Sequence, residues 1–409
     1  MTGRRKAENG RVLKDGEYQR KNGTYEYRYR SKTGKSHSIY APTLQALREK
    51  EKDIAKATLS GLDASARSLR IDDLFDKWRR LKIGLKDNTL QNYIYMYQQY
   101  VQGGFGRCKV LDTKKSDIRE YYTTLYDQRG LRPSTIDGVH TVLHQVLQLA
   151  VDDGMISVNP ADGACKDIKK AHAAEAKKRM ALTETQELTV LRYVRDHTVY
   201  AHWYPLLVTL FFTGLRIGEL AGLTWGDVDL VVGVMHIRHT LVYYDKRAEK
   251  AEKKCIYKMN SPKTRTSYRD VPILPIVHDA LLAEKKYLAD AEITSAVDVD
   301  GYRDFIFLNR EGLPLQNGIV NKAIRRIVRD CNYALMDKQN TAGLIPYFSC
   351  HSCRHTCATR MNEYGINEKC RRDILGHTCD DITNRVYTDT FGDFRAAEMA
   401  KLNALAKKI

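Results

Sequence analysis

The longest apolar run in the chain, Tyr204 to Gly214, falls well short of the ~20 residues that a bilayer span requires. Its side chains therefore belong inside a folded protein. The run reads as part of a helix from His202 to Thr213 that stops at a glycine, with another helix from Arg216 to about Gly222 directly after it. At 409 residues and 43% hydrophobic, the chain has material for two or three domains with ordinary cores. The N-terminus, MTGRRKAENGR, is basic but leads into no apolar stretch, which argues against a signal peptide. Nine cysteines, an odd number without a regular framework, suit free thiols in a reducing compartment. The expectation is a soluble, cytoplasmic (bacterial) protein with no membrane partner.

The formal charge of +17 favours polyanions as partners, and it is unevenly placed. Residues 1–60 hold 15 Lys+Arg against 7 Asp+Glu, nearly half the excess in a seventh of the chain. Within them, Gly16–Arg20, Tyr25–Arg30 and His37–Tyr40 read as three short strands, with turns at Asn22-Gly23 and Thr33-Gly34. Strand alternation sets Tyr25, Tyr27 and Tyr29 on one face and Glu26, Arg28 and Arg30 on the other. Thr43 suits the N-cap of a following helix. Solvated charges on a small sheet are one reading of this pattern. A sheet offering Arg28 and Arg30 to a DNA groove is the sharper one.

Residues 61–70 lack a core pattern and read as a linker. From Ile71 to about Asp162 the apolar spacing is helical: Leu74, Trp78 and Leu81, then Tyr93, Tyr97 and Tyr100, then Val139, Val142, Leu143, Val146 and Leu147. Residues 163–181, rich in Lys and Ala, read as a basic linker. Thr183 and Gln186 have capping-box spacing and open a further domain, 182–409. Its first helices give way to strand-like runs at Gly233–Tyr243, Cys255–Asn260 and Ser267–Ile273, then mainly to helices.

Four segments carry candidate chemistry. In GLRIGEL, Arg216 follows a glycine turn at a helix start, where a guanidinium and unpaired N–H groups both favour phosphate. A surface pair of Arg216 with Glu219 at i,i+3 competes with that reading. Lys263, in Ser261-Pro262-Lys263-Thr264, reads as the tip of a hairpin between the last two strand-like runs. His351 and Arg354 open a helix three residues apart, imidazole beside guanidinium, so that proton transfer neighbours oxyanion stabilisation. Cys350, Cys353, His355 and Cys357 crowd that segment, yet no second ligand pair occurs elsewhere, and packing is favoured over zinc. Finally His377 precedes Tyr387 by ten residues; among 25 tyrosines that position, not the phenol itself, singles Tyr387 out.

In order and spacing these segments resemble the tyrosine recombinase (phage integrase) family. Residues 182–390 are similar to its catalytic domain, 71–162 to its helical core-binding domain, and 1–65 to the arm-site-binding domain of integrases from conjugative transposons and phages. The resemblance implies a multidomain, mainly α fold with small β elements. It further implies a site-specific recombinase that integrates and excises a mobile element through a 3′-phosphotyrosine intermediate. By residue, it implies Arg216 and Arg354 clamping the scissile phosphate, Lys263 protonating the departing 5′ oxygen, and His351 assisting proton transfer. His377 would hydrogen-bond the phosphate, Tyr387 would be the nucleophile and Glu219 would orient its neighbours. No metal, ATP or other cofactor is implied. Implied partners are double-stranded DNA at core and arm sites, three further copies in a homotetramer that passes through a Holliday junction, and an excision factor. Met399, Leu402 and Leu405 line one side of a C-terminal helix, which packs on its own domain or docks on a neighbour. A non-catalytic DNA-binding protein and a type IB-like topoisomerase remain the rival readings.

Overall fold

The computed structural model describes residues 5–8, 10–30, 34, 36–59, 68–175, 181–245, 255–262, 265–337, 339, 343–376 and 392–409. The chain divides into two compact units, one formed mainly by residues 1–176 and the other by nearly all of the remaining chain.

The first unit opens with the small sheet. Strands β1 (Glu17–Gln19), β2 (Tyr25–Arg30) and β3 (Ser36–Ala41) pair antiparallel in that order, with Tyr18 opposite Glu26 and Glu26 opposite Tyr40. The first turn closes as Asn22-Gly23 requires: Gly23 has φ 81°, and Asn22 Oδ1 accepts from the Thr24 amide at 3.2 Å. Helix α1 (Leu44–Leu59) starts where Thr43 Oγ1 accepts from the Ala46 amide. It covers the sheet through Leu44 and Leu47, which are buried with Tyr25 and Ala41. Glu17 is fully buried there, and Arg48 on α1 grips both of its oxygens at 2.9 and 3.0 Å.

A separate core gathers helices α2 (Ile71–Leu81), α3 (Asp87–Met96), α4 (Lys115–Asp127), α5 (Pro133–Asp152) and α6 (Lys166–Glu175). Val139, Val142, Leu143, Val146 and Leu147 on α5 are fully buried, as their spacing foretells. Tyr97 is buried too; its ring stacks on Phe75 at 3.7 Å and its hydroxyl donates to Asp72 at 2.8 Å. Leu81, at the end of α2, is exposed instead. The expected linker from 163 needs correcting. Ala164 and Cys165 lie in this core, and α6 is tied to α5 by the Lys169–Asp137 pair at 2.8 Å. Of the expected linker at 61–70, residues 61–67 lie outside the described residues, and Leu69 already bonds Val110.

The second unit is built on α8 (Tyr204–Thr213), which is buried almost all round. Against its core pack α7 (Glu184–Asp196), α9 (Ile217–Gly222), α10 (Pro275–Asp290), α11 (Asn317–Asp337), α12 (Cys350–Glu363) and α13 (Glu368–Leu375). The Thr183–Gln186 capping box is formed, at 3.1 and 3.2 Å. At the other end of α12, Arg360 and Glu187 make a buried pair at 2.9 Å that binds α12 to α7.

The strands differ from expectation. The run 233–243 breaks at Arg238-His239 into β5 (Val234–Ile237) and β6 (Thr240–Asp245), after a short β4 (Val228–Asp229). β7 (Cys255–Asn260) pairs with β6, whereas β8 (Arg269–Pro272) pairs with β5. The expected hairpin of the last two runs is therefore not one: the segment bearing Lys263 connects two separate sheets. Pairing partners are chosen by long-range packing, which local turn chemistry does not encode.

After residue 391 the chain returns to its own core, burying Met399, Leu402 and Leu405. Arg192 donates to the Lys408 carbonyl at 3.1 Å, and Lys408 pairs with Glu184 at 2.6 Å. Among the described residues no helix is long and apolar enough to cross a membrane.

Among the described residues of this unit, Glu284 is a buried acid with an unbonded carboxyl oxygen. Glu284 on α10 is 4% exposed, and its Oε2 is sealed without a hydrogen bond. Burial pushes its pKa up to about 8. The folded state thus holds a proton that the unfolded chain releases, so this group lowers stability as pH rises from about 4.5 to about 8. Glu284→Gln should raise the melting temperature more at pH 8 than at pH 5, as measured by calorimetry; an equal gain at both would refute the assignment.

Candidate active site

The end of α8 decides where Arg216 stands. Gly214 turns the chain with φ 62°, a conformation that side chains resist. A Cβ there would also meet Leu375 Cδ2 at 2.6 Å and Cys357 Sγ at 3.2 Å. The turn makes Arg216 the N-cap residue of α9. Its amide donates to Glu219 Oε2 at 2.9 Å and its Nη1 to Glu219 Oε1 at 2.8 Å. Arg216 thus begins a helix and pairs with Glu219, which is buried and not at the surface. The Arg216 side chain is nevertheless 42% exposed, and Nη2 reaches the Gly376 carbonyl at 3.2 Å.

Arg354 comes from the second turn of α12 and is buried. Nη1 donates to the Gly214 carbonyl at 2.7 Å and Nη2 to the Leu375 carbonyl. Both acceptors are neutral. Burial, then repulsion from Arg216, lowers the Arg354 pKa to about 10. His351, one turn earlier, is exposed, and its ring meets that of His355 edge-on at 4.7 Å. The helix start is held by Asn321 on α11, whose Oδ1 accepts from the Cys350 amide at 3.0 Å. The ends of three elements therefore converge: the α8–α9 turn, α12, and the C-terminal turn of α13 at Gly376.

Glu219 is buried among these cations. Burial works to raise its pKa, but hydrogen bonds and charge from Arg269, then from Arg216, outweigh that and hold it below the usual carboxylate range. Arg269, on β8, donates Nη2 to Glu219 Oε2 at 2.7 Å and Nη1 to Oε1 at 3.1 Å. Sequence reasoning missed Arg269. The available signal was strand alternation, which sets it on the same inward face as Val271 and so demands a buried partner.

Lys263, His377 and Tyr387 lie outside the described residues; Gly376 immediately precedes His377. In the small sheet, Arg28 is on the outer face as expected, but it pairs with Glu26 at 2.8 Å and lies over the Tyr18 ring at 5.0 Å. Arg5 approaches the same ring at 4.7 Å, and Arg20 lies over Tyr40 at 5.2 Å. Arg30, at the strand end, is exposed.

Residues 180–392, just over half the chain, match the sequence profile of the phage integrase family. The chain belongs to this family. Residues 1–58 match a second profile, the DNA-binding domain of Tn916 integrase. The transposase of transposon Tn916 from Enterococcus faecalis is 29% identical, over 98% of each chain. A XerC-like tyrosine recombinase of Caldanaerobacter subterraneus is 25% identical, over 94% of this chain and 97% of that one. Among solved structures, the Tn1549 transposon integrase bound to transposon right-end DNA is 27% identical. It superimposes with a TM-score of 0.65 over 82% of this chain and 100% of that one. The protein is a DNA-binding, site-specific tyrosine recombinase of the conjugative-transposon type, acting in integration and excision.

The recombinase's cysteines Cys350, Cys353 and Cys357 are buried in the core, where burial pushes the Cys350 thiol up to about 12 and raises the other two as well. They pack in that core as small apolar groups. Among the described residues no cluster of three or more His, Cys, Asp or Glu suits a metal ion. Glu219→Ala would leave the Arg216 and Arg269 guanidiniums without their shared carboxylate. Removing one partner from such a buried set costs about 3–5 kcal/mol. A urea midpoint lowered accordingly, with Glu219→Gln losing less, would bear this out; wild-type stability in the alanine variant would count against it.

Proposed function

We propose that the Arg216–Arg354 pocket receives the scissile phosphate of a recombination site and that Tyr387 attacks it. The observation carrying this reading is that Arg354 is buried beside Arg216 with only neutral carbonyls as hydrogen-bond acceptors, so no anion is bonded to it until one arrives. A phosphodiester brings one negative charge and its five-coordinate transition state brings more, so the site favours the transition state over the ground state.

In this mechanism Tyr387 Oη bonds to phosphorus while the bond from phosphorus to the 5′ oxygen breaks. The phenol proton leaves with assistance from His351, and Lys263 gives a proton to the departing 5′ oxygen. His377 donates to a phosphate oxygen. The products are a 3′-phosphotyrosine and a free 5′ hydroxyl. Because the covalent link stores the energy for rejoining, the step calls for neither ATP nor a metal ion. Attack by the 5′ hydroxyl of another duplex reverses the chemistry and exchanges strands. Full exchange then involves four protomers and a Holliday junction. The outer face of the small sheet, with Arg28 and Arg30, binds a distant arm site while residues 71–162 and the catalytic domain hold the core site. Excision additionally recruits an accessory factor.

Tyr387→Phe should keep DNA affinity yet form no denaturation-resistant protein–DNA adduct on a suicide substrate, whereas wild type forms one even with EDTA present. Lys263→Ala should lose cleavage of ordinary DNA and regain it when the 5′ leaving atom is sulfur, which needs no proton. An adduct in the Phe variant, or one abolished by EDTA in wild type, would overturn the mechanism.

Removing residues 1–65 should spare core-site cleavage and abolish binding to the second site. In the full chain that binding should weaken steeply with salt, since each neutralised phosphate releases counterions. Two-site binding by the truncated protein in a gel-shift titration would reject the arm-site reading.

A further inference from the structure

We propose that Arg269 is a positioning residue of this active site: it seats the turn that precedes His377 against the Glu219–Arg216 pair and takes no part in holding DNA. The proposal rests on the reading of Arg216 and His377 given above and adds the residue on which both depend.

Arg269 is fixed from below. It sits opposite Ile237 in the β5–β8 register, and its own carbonyl accepts from Arg238 Nη1 at 2.9 Å. Its side chain is 2% exposed, so no phosphate reaches it. Its donors are spread over three different supports. Nε donates to the Ile374 carbonyl at 2.6 Å. Nη1 and Nη2 divide between the two oxygens of Glu219, and Nη1 also meets the Ser267 carbonyl at 3.1 Å. Ser267 lies four residues beyond Lys263 in the same connection.

The last carbonyls of a helix have no partner within it, and its C-terminal end carries partial negative charge. At the end of α13 three consecutive carbonyls are taken by three guanidiniums: Ile374 by Arg269, Leu375 by Arg354 and Gly376 by Arg216. The next residue is His377. Two of these arginines are the ones assigned to the phosphate, and an incoming anion competes with carbonyls for their donors. Arg216 shares the buried carboxylate but is half-exposed, and Arg354 has no carboxylate; Arg269 is both paired with Glu219 and hidden from DNA, so it can hold the turn while the other two turn to substrate. Gly376 is shaped to that contact: it has φ 64°, and a Cβ would stand 3.2 Å from both Arg269 Nη1 and the Thr266 carbonyl. Lysine cannot replace the fork, because one ammonium does not span both Glu219 oxygens and the Ile374 carbonyl together.

The test is single-turnover cleavage at saturating core-site DNA. A displacement of about 1 Å at a catalytic group can cost ~100-fold. Arg269→Lys should therefore slow cleavage by about that factor while leaving the DNA dissociation constant within ~3-fold of wild type. In a His377→Ala background the same substitution should cost only about 10-fold or less, because the turn no longer carries the group it positions. Gly376→Ala, which disturbs the turn without removing the ion pair, should repeat the pattern and keeps the test open should Arg269→Lys fold poorly. Equal costs in both backgrounds, or wild-type cleavage by Arg269→Lys, would overturn the proposal. A silent His377→Ala would instead overturn the underlying reading of His377, and the two failures are told apart by the single variants.

Discussion

Three guanidiniums, Arg216, Arg269 and Arg354, share one pocket, and the carboxylate of Glu219 is what lets two of them settle there. At an effective dielectric near 20, two unit charges 4 Å apart interact by about 4 kcal/mol. Like charges packed at such range resist folding unless something opposite stands between them. Glu219 is bonded to Arg216 on one side and Arg269 on the other. Arg354 receives carbonyl dipoles only, and it is the group whose pKa falls. The carboxylate is thus bonded to two of the cations and not to the third, a division that leaves net positive charge in the pocket proposed for the phosphate.

That arrangement leans on the hydrocarbon behind it. α8 supplies a wall of buried side chains that ends in the Gly214 turn, and Cys357 packs against that turn while Cys353 lies in the same core. The far end of α12 is tied down by Arg360 and Glu187, a second buried pair well along the same helix. Burial raises the Glu187 pKa to about 7 against the pull of Arg360, so this pair is held by its surroundings as much as by its own attraction. With α12 anchored at both ends, His351 and Arg354 ride on a rigid element and not on a loop.

How much the sequence disclosed depends on the range of the interactions involved. The Thr183–Gln186 box, the Asn22-Gly23 turn and the alternation through Tyr25–Arg30 are settled by atoms within a few residues, and all were legible. Arg216 and Glu219, three apart, were legible for the same reason. The pairing of β7 with β6 and of β8 with β5 was not, since each strand's partner is chosen by burial across the whole domain. Arg269 was hidden for that reason too: its partners Glu219 and Ile374 lie 50 and 105 positions away. Ala164 and Cys165 went unread as core because two small residues do not register as an apolar stripe, although they lie in a core.

The arginines laid over tyrosines in the N-terminal sheet bear on rotamer freedom. A free arginine surrenders up to about 2 kcal/mol of side-chain entropy when it is immobilised against a ligand. Arg28 over Tyr18 and Arg20 over Tyr40 have already given up much of that freedom in the unbound fold. The tyrosine rings hold these guanidiniums in the unbound fold, so any anion contact made through them would lose less entropy per side chain than one made by unsupported lysines.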